Sequence, residues 1–128
     1  MNRLNNDDNE SQRILAWFNK SDESTVKSAL YKIAESNPEL DKQFSTKFTA
    51  NEYELLFNSN RISGRIAILI GAILGLIDPF MAQTSIAENL REKAKTILAS
   101  GGINTLNYNP RAIEMNNSEL KNIFSEII

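Results

Sequence analysis

Arg61 and Arg65 are the residues whose type and spacing point most directly to chemistry. Positions four apart share one face of a helix. Two guanidinium groups would then stand side by side, an arrangement suited to an anion such as a partner's carboxylate or a phosphate. The preferred reading of the pair is solvated or internally paired charge, the ordinary state of surface arginine. A helix beginning near Asn60 would put both at its positive end, where cations are disfavoured. One beginning at Ala50 would place them mid-helix beside Glu54 or Phe57.

Arg91, Lys93 and Lys95 form a second basic run, interrupted by Glu92. Glu88 can pair with Arg91, and Glu92 with Lys95, at a spacing of three. That is the pattern of an exposed helix face. Together with Arg61 and Arg65 the run could serve a nucleic-acid-binding regulator. That reading is disfavoured, because the net charge is −2 and no aromatic platform accompanies the basic residues.

The chain has neither histidine nor cysteine. This removes cysteine nucleophiles, Ser-His-Asp triads, Cys/His zinc sites and disulfides. It also removes the side chain that most often moves protons near neutral pH. Any chemistry would have to rest on Asp, Glu, Lys, Ser or Tyr. The stretch from Asp7 begins like a calcium loop, but it carries Gln12 where the turn needs glycine and Phe18 where it needs the final glutamate. Ser100-Gly101-Gly102 follows a helix rather than opening one, so it reads as a stop and not a phosphate cradle. No catalytic, cofactor-binding or metal-binding residues are assigned, and the expectation is a protein that is not an enzyme.

These side chains have to be held by helices, since the apolar spacing is helical nearly everywhere. With 128 residues, 41% of them hydrophobic, the chain suits one domain with one core. Residues 1–9 are polar and expected to be poorly ordered, and residues 10–128 to form a single helical domain. Ile14, Leu15, Trp17 and Phe18 mark a first helix from Glu10. Ser21 is the expected N-cap of a second, with the stripe Val26, Ala29, Leu30 and Ile33. Asn37-Pro38 should end it and start a third carrying Leu40, Phe44 and Phe48. Thr49 to Glu52 matches a capping box, ahead of Tyr53, Leu56 and Phe57. Asp78-Pro79 reads as the start of a new turn. Ser85 to Glu88 is a second capping box, leading to inward Ile86, Leu90, Ala94, Ile97 and Leu98, with Gly101-Gly102 as the stop. Residues 103–110 lose the helical period. A last helix from Asn117 places Leu120, Ile123, Phe124 and Ile127 inward.

The twelve residues 66–77 contain no polar side chain. As a helix they span about 18 Å, short of the roughly 30 Å of a hydrocarbon core. A helix that is apolar all round is normally buried all round. Gly71 and Gly75 lie on one face with Ala67, where small residues allow a neighbouring backbone to approach. The two glycines cost about 2 kcal/mol of helix propensity. The eight large aliphatic side chains, if fully buried, return on the order of 12–24 kcal/mol as an upper bound. The helix should therefore form and sit at the centre.

The expected fold is all-α, an irregular bundle of five to seven short helices around a central apolar helix. The expected function is a small non-enzymatic helical protein acting through protein–protein interaction: an adaptor, inhibitor, immunity-type or regulatory partner. Its partner would be another protein or a second copy of itself, a homo-oligomer. The candidate contact residues are Trp17, Arg61, Arg65, Gly71, Gly75, Arg91, Lys93 and Lys95. A third reading, membrane association through residues 62–77, is disfavoured by the short apolar span. No cofactor is expected. The absence of cysteine suits a reducing compartment, so the expected location is cytoplasmic.

Overall fold

In the computed structural model, residues 3–45, 49–51, 54, 61–100 and 122–125 are described. They form helices α1 (Arg3–Lys20), α2 (Glu23–Ser36), α3 (Leu40–Ser45), α4 (Arg61–Met81) and α5 (Ser85–Ser100). Residues 50–51, 54 and 122–124 are helical too, and the described residues include no strand. The fold is all-α. Apolar α4 is packed by α1, α2 and α5, and α1 and α2 also touch α5. Phe48, Tyr53, Leu56, Phe57, Gly101, Gly102, the segment 103–110, Leu120 and Ile127 lie outside the described residues, as does the side chain of Phe44.

α1 begins at Arg3, seven residues before the start suggested by the apolar pattern. Once Ile14, Leu15 and Phe18 are buried in the core, adding a helical residue N-terminal to them gains a backbone hydrogen bond without needing an apolar side chain. The end of α1 also fixes the start of α2. The N–H of Ser21 closes α1 by donating to the Trp17 carbonyl at 3.1 Å. The cap of α2 falls instead to Asp22, whose Oδ1 accepts from the Thr25 N–H at 2.7 Å. A carboxylate accepts more strongly than a hydroxyl. Thr25 holds the Asp22 carboxyl below its ordinary pKa.

α2 buries Val26, Leu30, Ile33 and Ala34, whereas Ala29 is only partly covered. Asn37 finishes the helix, its Nδ2 donating to the Ile33 carbonyl at 2.9 Å. Pro38 and Glu39 form a turn rather than a first helical residue, and α3 starts at Leu40, which is buried.

α4 runs 21 residues, about 31 Å. Every residue from 66 to 77 is buried except Gly75, which is partly exposed. Asp78-Pro79 does not open a new helix: Pro79 lies inside the last turn of α4. A proline there removes one backbone donor, the partner of the carbonyl four residues earlier. That carbonyl belongs to Gly75, the most exposed position of the stretch.

The turn from α4 to α5 is closed by Thr84 rather than by the capping box from Ser85. Its Oγ1 accepts from the Ala87 N–H at 3.2 Å and donates to the Met81 carbonyl at 2.9 Å. The buried stripe of α5 is Ala87, Leu90, Ala94, Ile97 and Leu98. At 100° per residue Ile86 falls at the edge of that stripe, in the first turn. The expectation that Ile86 points inward is corrected: it is 43% exposed.

Candidate functional site

The arginine pair lies where α2 ends and α3 and α4 begin. Arg65 Nε donates to Asp41 Oδ1 at 2.9 Å, and its Nη2 to Asp41 Oδ2 at 3.3 Å. Its Nη1 donates to the Ala34 carbonyl at 3.1 Å, in the last turn of α2. Arg61 Nη1 donates to the same Asp41 Oδ2 at 2.8 Å. The Arg65 side chain is 11% exposed and that of Arg61 59%. Burial raises the Asp41 pKa, but the hydrogen bonds and charges of Arg65 and Arg61 together outweigh it and hold the carboxyl below its ordinary value. Two cations at the positive end of α4 are thereby offset by a carboxylate from α3. An anion does meet the arginine pair, and it belongs to the chain itself.

The second basic run divides among three settings. Arg91 does not turn to Glu88; its Nη2 stands 3.4 Å from Asp78 Oδ1 and 3.4 Å from the Ala82 carbonyl, at the far end of α4. Lys95 pairs with Glu92 at 3.3 Å on the exposed face of α5. Lys93 reaches inward to the end of α1. Its Nζ donates to the carbonyls of Phe18 at 2.7 Å, Asn19 at 2.9 Å and Ser21, and stands 5.8 Å from the centre of the Phe18 ring. The last carbonyls of a helix have no intrahelical donors, and an ammonium supplies three. Burial lowers the Lys93 pKa, while the carboxylates of Glu23 and Asp22 act in the opposite sense.

Along α4, Arg65 and Asp78 stand thirteen residues apart, about 20 Å. The arginine junction and the Arg91 contact thus occupy opposite parts of the bundle. Trp17 is partly buried and packs edge-on against Phe124, with ring centroids 5.5 Å apart and planes at 62°. Gly71 is buried inside α4. Among the described residues no three Asp or Glu side chains gather as a metal site.

Two features escaped the sequence reading. Asp41 carries no local signal, because its partners lie 20 and 24 positions away. The tip of the α4–α5 hairpin was hidden by assigning Ile86 to the core. Ile86 is the exposed large hydrophobic residue of the described chain, and Phe80 and Met81 at the same tip are only partly buried. No protein-family model, no curated protein and no solved structure matches this chain.

Proposed function

We propose that the protein is a small non-enzymatic helical partner of another protein, in the manner of an adaptor, inhibitor, immunity-type or regulatory subunit. The observation that carries this reading is the hairpin tip, where Ile86 is exposed and Phe80 and Met81 are partly covered. Ile86 is already more than half covered, so burying the rest of it on binding contributes up to about 1 kcal/mol. Apolar anchors ringed by polar groups are the usual centre of an interface. The internal engagement of Arg65, Arg91 and Lys93 supports the same reading over nucleic-acid binding, since phosphate contacts would have to displace existing partners. The test is crosslinking in the native host followed by mass spectrometry. A specific partner crosslinked near residues 80–86, and lost on Ile86→Asp while circular dichroism stays unchanged, supports the proposal. Equal capture by both proteins overturns it. Light scattering over a range of concentrations shows whether that partner is a second copy.

A second reading, membrane association, is favoured by one observation. α4 is long and apolar enough to cross a bilayer, although 67% of its most apolar window is buried inside the fold. Against it, Arg65 and Asp78 leave an uninterrupted apolar run of only about 18 Å. Co-sedimentation with liposomes at physiological salt would support it, and complete recovery in the supernatant would remove it.

A further inference from the structure

We draw no further inference here: the strongest candidate, the Arg61–Arg65–Asp41 cluster where α2, α3 and α4 meet, has its guanidinium groups engaged by this chain's own carboxylate and backbone and so belongs to the helix junction already described.

Discussion

Arg65 grips Asp41 with two nitrogens, Nε at 2.9 Å and Nη2 at 3.3 Å, while its third nitrogen holds the Ala34 carbonyl at 3.1 Å. One side chain of α4 therefore ties the end of α2 to the start of α3. Removing the carboxylate leaves a largely buried guanidinium without its counter-charge. Asp41→Ala is expected to lower stability by about 1.5–3 kcal/mol, the range for hydrogen bonds to charged groups. Urea unfolding at pH 7 measures it, and a midpoint equal to the parent's contradicts it.

The same carboxylate sets a pH dependence. Its folded pKa lies below the ordinary value of 3.8. The stabilisation is then complete above that ordinary value and is lost as pH falls through the lower, folded one. Asp41→Asn cannot titrate, so the stability difference between parent and variant should shrink as pH drops below about 4. A difference that stays constant from pH 6 to pH 2.5 would show that Asp41 does not titrate with folding.

Lys93→Met keeps the aliphatic stem and removes the three donors at the end of α1. The expected loss is about 1.5–3 kcal/mol. Amide hydrogen exchange should quicken in α1 more than in α4, because the lost contacts belong to the last turn of α1. Uniform acceleration across the bundle would argue against a local role.

The two glycines of α4 should respond in opposite directions. Gly71 is buried and Gly75 is partly exposed. Gly71→Leu overpacks the interior and should cost about 1–3 kcal/mol. Gly75→Ala should gain up to about 1 kcal/mol from helix propensity. Thermal unfolding distinguishes them, and equal shifts would mean that burial does not separate the two sites.

Trp17 is the single tryptophan, and Phe124 is fully buried against it. Its fluorescence therefore reports whether the C-terminal residues are docked. Phe124→Ala should cost about 3–5 kcal/mol and shift the emission of the folded protein to longer wavelength. Unchanged emission in a folded variant would place the indole elsewhere.

The all-α fold and the buried midpoint were legible because burial imposes a period that survives any detail of the neighbours. Val26, Leu30 and Ile33 on α2, and Leu90, Ala94, Ile97 and Leu98 on α5, lie inside as their spacing required. The ends of helices were less legible. Asp22 and Thr84 each cap one position away from the serine expected to do so, since neighbouring polar residues differ in energy by only about 1 kcal/mol. That one-residue offset accompanies Ala87, rather than Ile86, on the inner face. Pro79 was read as a start because nothing local distinguishes a first turn from a last one that tolerates a missing donor. The partners of Arg65 and Lys93 were invisible for a different reason: contacts across 24 and 75 positions leave no trace in a short window.

The C-terminal end of α1 is finished by a lysine that the ribosome adds 75 residues after Phe18. A growing chain therefore carries its first helix unfinished, and the greasy α4 leaves the exit tunnel before α5 has followed it out to cover it. Final assembly has to wait until Lys93 has been made and α5 has emerged. During that interval the nascent protein presents a sticky surface that the mature one has hidden, and its yield in a cell should depend on how well that interval is chaperoned.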